Sequence, residues 1–214
     1  MKKQYKIILA AAVISATSFL AVSASASSQE DTLMRRWGSI LSELYYSQQQ
    51  EASQAALPQD EEIFEKGNQA VITADELNQA AEYYQLGGMS EKEALSEAAD
   101  YTREREALYQ QALKNGYDVT DQEVWDYLEQ FKKETDEYSN GSIVDTMMNQ
   151  FDSEEDFWNY EFTVYKKNLP IQNYVHDLEE AYRNGEADSE KSWETYFAEF
   201  KEKLAEDENY QKVQ

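Results

Sequence analysis

The chain has 214 residues, two prolines, seven glycines and no cysteine, and its 43 acidic residues outnumber 19 basic ones to give a net charge of −24. Phosphate backbones and anionic lipid repel so acidic a surface, which excludes nucleic acid and charge-driven membrane binding; without cysteine, packing alone must hold the fold. Sixteen tyrosines, eight phenylalanines and four tryptophans exceed what a disordered acidic chain carries, so a packed core is expected.

Residues 1–26 combine Lys2, Lys3 and Lys6, an apolar run from Ile7 to Val22, and Ala24-Ser25-Ala26. This is the anatomy of a Sec-type signal peptide with a small-residue cleavage site. The run is shorter than the ~20 residues that span a bilayer, so cleavage before Ser27 is expected rather than a retained anchor. No second apolar segment follows. The expected product is extracytoplasmic, secreted or in the cell envelope, with no stable membrane insertion after cleavage.

Few prolines and glycines, with apolar residues spaced three and four apart, predict an all-α fold of about six to seven helices. Residues 27–66 hold the first helix, Asp31 to about Glu51, with Leu33, Trp37, Ile40, Leu41 and Leu44 on one face, and then a polar linker, Ser53–Lys66, containing Pro58 and Asp60-Glu61-Glu62. Within residues 67–138 a short extended stretch, Gln69–Ile72, precedes a helix opened by Thr73 and Glu76, stopped at Gly87-Gly88 and followed by a long helix from Ser90 to Asn115. Asn115-Gly116 provides a left-handed stop, and Thr120 with Glu123 forms a capping box that opens a fourth helix to about Tyr138. Residues 139–214 complete the same domain: a turn at Asn140-Gly141, a short helix with Val144, Met147 and Met148, and a long helix started by Ser153 and Asp156. Pro170 is expected to kink or restart that helix, which runs to Gly185. A last helix carries Trp193, Phe197, Phe200 and Leu204.

The segment Ala112, Gly116, Val119, Thr120, Asp121, Glu123 and Val124 resembles the SurA-type N-terminal domain shared by SurA and PrsA-type foldases and related to the trigger-factor chaperone region. Upstream, Gly67-Asn68 with Val71-Ile72-Thr73-Ala74-Asp75-Glu76-Leu77 resembles the same family's "N-G-x-x-I-T-x-x-E-L" wording, and the two blocks stand in the family's order. The resemblance covers roughly residues 65 to 135. It implies a helical chaperone fold whose N- and C-terminal helices pack together, here residues 31–51 with 189–206. It also implies a lobe that binds unfolded or newly exported polypeptide. The family's parvulin prolyl isomerase domain is missing, since residues 139–188 carry helical spacing where that fold needs an antiparallel sheet, so isomerase activity is not implied. Nor does a lipid-anchored form fit a chain with no cysteine.

The chemistry-bearing residues point away from catalysis. His176 is the only histidine, no cysteine nucleophile exists, and no G-x-S-x-G elbow, Walker loop or dinucleotide fingerprint occurs. Zinc needs more nitrogen and sulfur ligands than this, and the acidic clusters lack the spacing of a calcium loop. The expectation is therefore no enzyme, no cofactor and no metal. The residues proposed to line a peptide-binding cradle are Tyr45, Tyr83, Tyr84, Trp125, Tyr127, Trp158 and Tyr160, with Tyr46 beside them, because aromatic rings offer contact area at little rotamer cost. Each also fits a core position, as do Met89, Met147 and Met148. The second reading of the same chain is an envelope adaptor or scaffold that binds one specific partner, and a homodimer stays open.

Overall fold

A computed structural model describes residues 27–54, 63–137, 141–186 and 190–213. The expected signal segment and residues 55–62 of the expected linker lie outside them. Seven helices are found among the described residues: α1 (Ser27–Gln54), α2 (Ala74–Leu86), α3 (Glu91–Lys114), α4 (Asp121–Glu137), α5 (Gly141–Met148), α6 (Glu154–Arg183) and α7 (Trp193–Glu208). No described helix is long and apolar enough to cross a membrane.

The helix starts follow the capping chemistry of the sequence. The Thr73 N–H donates to the Glu76 carboxylate at 3.2 Å while the Glu76 N–H donates to Thr73 Oγ1 at 3.2 Å. Thr120 and Glu123 exchange the same pair at 2.8 and 3.3 Å. At the other end of α3, Gly116 takes φ +81°, a conformation that costs a residue with a Cβ 1–2 kcal/mol or so, roughly, and glycine almost nothing.

Three short strands, β1 (Ile63–Lys66), β2 (Val71–Thr73) and β3 (Gln211–Lys212), form an antiparallel sheet in the order β2-β1-β3. Residues 63–66 are therefore a strand rather than linker, and the purely helical expectation gains a small sheet. Its central strand escapes sequence reading because its buried residue is Glu65, 3% exposed, whose carboxylate accepts from Arg103 Nε and Nη2 at 2.8 Å each. A charge neutralised in this bidentate way occupies a core position that hydrophobic patterning assigns to solvent.

The described residues group into two compact units, one within 27–54 and 120–165, the other within 63–119 and 166–213. The first unit contains α1, α4, α5 and the start of α6. Its core is aromatic: Tyr45, Phe151 and Tyr160 lie with ring centroids 5.8 to 6.4 Å apart, and Phe131 meets Trp158 and Tyr165 at 6.3 and 6.2 Å. Helix α1 packs on α5 through buried Gly38. A Cβ there would stand 2.8 Å from both the Cα and the carbonyl oxygen of Met147. On an exposed helix Gly→Ala stabilises by about 1 kcal/mol. Here the sign reverses, because backbone cannot step aside as a side chain end does. Gly38→Ala is expected to cost ~1–3 kcal/mol, seen as a lowered urea midpoint at unchanged m; a stabilised variant would disprove the close approach.

The second unit contains the sheet, α2, α3, the rest of α6 and α7. Small residues let α2 and α3 approach closely: Ala80 and Ala81 on one, Ala94, Ala98 and Ala107 on the other, all buried. Helix α6 runs through Pro170 to Arg183 without restarting. The roughly 3 kcal/mol that an interior proline costs an isolated helix is offset by burial of Leu169, Pro170 and Tyr174. Within their own units, α1 packs on α5 and α7 on α3. Amphipathic faces specify that they need a partner but not which one.

Candidate functional site

The seven sequence-proposed cradle residues divide by burial. Tyr45, Tyr83 and Tyr160 are core residues, 8, 9 and 7% exposed. Tyr45 and Tyr160 meet edge to face, 6.4 Å apart, and the Tyr45 hydroxyl donates to Asp156 at 3.4 Å. Tyr84, Trp125, Tyr127 and Trp158 are half-buried. Trp125 stacks on Phe162 at 4.7 Å, Tyr127 lies against Tyr165 at 4.9 Å, and Trp158 Nε1 donates to Glu154 at 3.2 Å. Burial, then the acidic and phenolic groups around it, push the Tyr84 hydroxyl up to about 12, so it stays a neutral donor. Tyr45, Trp125, Tyr127, Trp158 and Tyr160 belong to the first unit, and Tyr83 and Tyr84 to the second.

The second unit also holds a buried charge network. Lys167 on α6 donates to Glu106 of α3 at 2.9 Å and to Glu76 of α2. Arg105 Nη1 lies 3.0 Å from Glu106 and 3.8 Å from Glu76, and its Nη2 donates to Asn168 at 3.1 Å. Burial, reinforced by the neighbouring Glu76, raises the Glu106 carboxyl despite Arg105 and Lys167. Burial opposes ionisation of Glu76 too, but Lys167, the Thr73 N–H and Arg105 outweigh it and hold that carboxyl below its ordinary value. Two carboxylates displaced in opposite directions are a pattern of acid–base sites. Here both are bound by the same ammonium and guanidinium, so the arrangement fastens α2, α3 and α6 together.

A different face is open. Helix α7 starts where the Ser192 hydroxyl accepts the Thr195 N–H at 3.3 Å and stops at Asn209, φ +52°. Although it carries Trp193, Tyr196, Phe197, Phe200 and Leu204, none of its residues is fully buried. Phe197, Phe200 and Leu204 rest on a core of Leu108, Ala112 and Tyr174. Beyond them the rings continue: Trp193 stacks on Phe197 at 5.1 Å, Tyr196 on Phe200 at 6.3 Å, and Tyr182 of α6 lies 5.5 and 5.4 Å from Trp193 and Tyr196. Tyr182, Trp193 and Tyr196 thus form a half-exposed aromatic ladder on a buried base. The helical spacing puts Tyr182 on the apolar seam of α6 and Trp193, Phe197, Phe200 and Leu204 on that of α7, as candidates for burial, and does not single out Tyr196. Only the number of rings within one turn, more than a single seam can bury, signals the difference.

His176, Asp177 and Glu180 of α6 bring one ligand atom each within 4.8 Å of one another, all exposed. His176 Nδ1 lies 3.4 Å from Asp177, whose other oxygen accepts the Tyr117 hydroxyl at 2.8 Å. Exposed donors of this kind are ordinary on an acidic helix.

Compared with known proteins, the chain matches no family model, no curated protein and no solved structure. The aromatic face of α7 offers apolar contact from Trp193, Tyr196, Phe197, Phe200 and Leu204.

Proposed function

We propose that this chain is an exported, non-catalytic, chaperone-like protein that holds unfolded or newly secreted polypeptide on an apolar helical surface. The observation that carries this reading is the aromatic face of α7: five apolar side chains, none fully buried, backed by a packed core. Contiguous apolar surface left partly exposed marks interaction sites, and ring faces accept many sequences because they demand no hydrogen-bond register. The acidic remainder keeps such a surface soluble through net repulsion. The signal-like leader and the resemblance of residues 67–77 and 112–124 to SurA-type chaperones support the same reading.

The test is light scattering from a denatured, aggregation-prone protein diluted into buffer with rising amounts of the chain. Suppression is expected with several unrelated clients. Trp193→Ala combined with Tyr196→Ala should raise the concentration needed for half suppression about five-fold, near 1 kcal/mol of lost contact, while the far-ultraviolet circular dichroism stays unchanged. Absence of suppression with every client would reject the holding activity.

A further inference from the structure

The charge around the aromatic ladder goes one step further and names the chemistry of its occupant. Four cations lie at the end of α6, just before α7 and on α7, and each is already engaged: Arg183 with Glu179, Lys191 with Glu199, Lys201 with Glu104 and Lys203 with Asp207. The carboxylates of Glu180, Glu186, Glu190, Glu194, Glu202 and Glu206 are exposed and make no ion pair among the described residues. The rings themselves attract cations through their negative faces, as Lys201 does 5.7 Å above Phe197.

We infer that the face formed by Tyr182, Trp193 and Tyr196 takes an apolar or aromatic polypeptide segment flanked by lysine or arginine, and rejects the same segment flanked by acids. This rests on the polypeptide-holding reading above and narrows it. Apolar residues of the occupant cover the ladder, while its flanking cations meet the unpaired carboxylates and ring faces. An acidic segment meets mainly like charge, because on α6 and α7 the carboxylates outnumber the cations and these cations are already paired. Complementarity of this kind selects partners and speeds encounter more than it adds affinity, and it weakens with salt.

The experiment is fluorescence anisotropy of three labelled peptides titrated with the full chain at low and physiological salt. One has a Trp-Leu-Tyr-Leu centre flanked by lysines, the second the same centre flanked by glutamates, and the third the lysines around a Ser-Gly centre. The first is expected to bind at least ten-fold tighter than either of the others, with the preference shrinking as salt rises. Glu190→Lys with Glu194→Lys should cut the preference several-fold at unchanged circular dichroism; these side chains are exposed, so the fold tolerates them. Equal binding of the first two peptides would overturn the charge preference and leave the holding activity standing. Equal binding of the first and third would overturn the role of the ladder in selection, and binding of none would overturn the function proposed above together with this inference.

Discussion

Replacing Lys167 by methionine is expected to destabilise the chain by about 3 kcal/mol, the cost of taking one of two cations from a buried carboxylate. Glu106 is 2% exposed and depends on two cations; methionine fills much of the lysine stem's volume but offers it no charge. The loss should depend on pH in a stated direction. Glu76, held below its ordinary value, contributes stability that is present above about 4.5 and fades as pH falls through its folded value, and much of that contribution goes with Lys167. Glu106 is raised and rises further without Lys167, so the variant gains stability as acid protonates this carboxyl. The deficit against the parent is therefore largest at pH 7–8 and shrinks toward pH 4.5. Adding Glu106→Gln to Lys167→Met should recover part of it at pH 7, because the buried charge that lost one of its two cations is gone. Urea midpoints of the parent, single and double variants at two pH values decide the matter. A single variant within 0.5 kcal/mol or so of the parent, the range of ordinary surface changes, would mean that the network carries no stability.

Glu161→Gln is expected to do the reverse and stabilise the chain by ~2 kcal/mol at pH 8. Glu161 is 6% exposed in the first unit, beside Tyr127, with no cation near it among the described residues. Burial alone pushes its carboxyl up to about 8. The fold therefore holds this proton more tightly than the unfolded chain does. Its contribution is fully present below about 4.5, falls as pH rises from there, and is lost once pH passes through about 8. Glutamine keeps the shape and carries no charge at any pH, so parent and variant should be nearly equal at pH 4.5 and diverge steadily to a plateau above pH 8. The amide still needs hydrogen-bond partners in a buried place, which keeps the gain below the full linkage value. A gap that does not change with pH would show that Glu161 is not held neutral.

The helices were legible because their signals are local. Thr73 and Glu76, or Thr120 and Glu123, lie three residues apart and satisfy each other's backbone groups whatever surrounds them, and Gly116 ends its helix by its own conformational freedom. The sheet was not legible, since Glu65 reads as solvent-facing until Arg103 is placed against it. Nor was the charge network, whose members Glu76, Glu106 and Lys167 come from three helices. Gly38 gave no sign either: a glycine required by a neighbouring backbone looks the same as one that is merely tolerated. Three of the seven cradle residues were misread for a related reason. Tyr45, Tyr83 and Tyr160 were chosen as large rings beside a stripe and proved to be core, whereas Trp193, Tyr196 and Tyr182 belong to a stripe whose partner covers only part of it. Periodicity tells which side chains share a face but not how completely that face is covered.

The turn between β1 and β2 has a consequence for the order of events during synthesis. Its backbone is held by α7: the Glu208 carboxylate accepts the Gln69 and Ala70 N–H groups at 2.7 and 3.0 Å, and the Asn68 N–H donates to the Glu208 carbonyl at 2.8 Å, across 139 residues of sequence in the first of these bonds. Closing so long a loop is entropically costly and slow compared with forming the helices between. A chain emerging from its amino end can pair β1 with β2 at once but must leave the turn and the free edge of β1 without α7 and β3 until residues 208–212 have appeared. That delay keeps this corner of the second unit open until late in synthesis, and the segment around Glu208 acts as the latch that closes it.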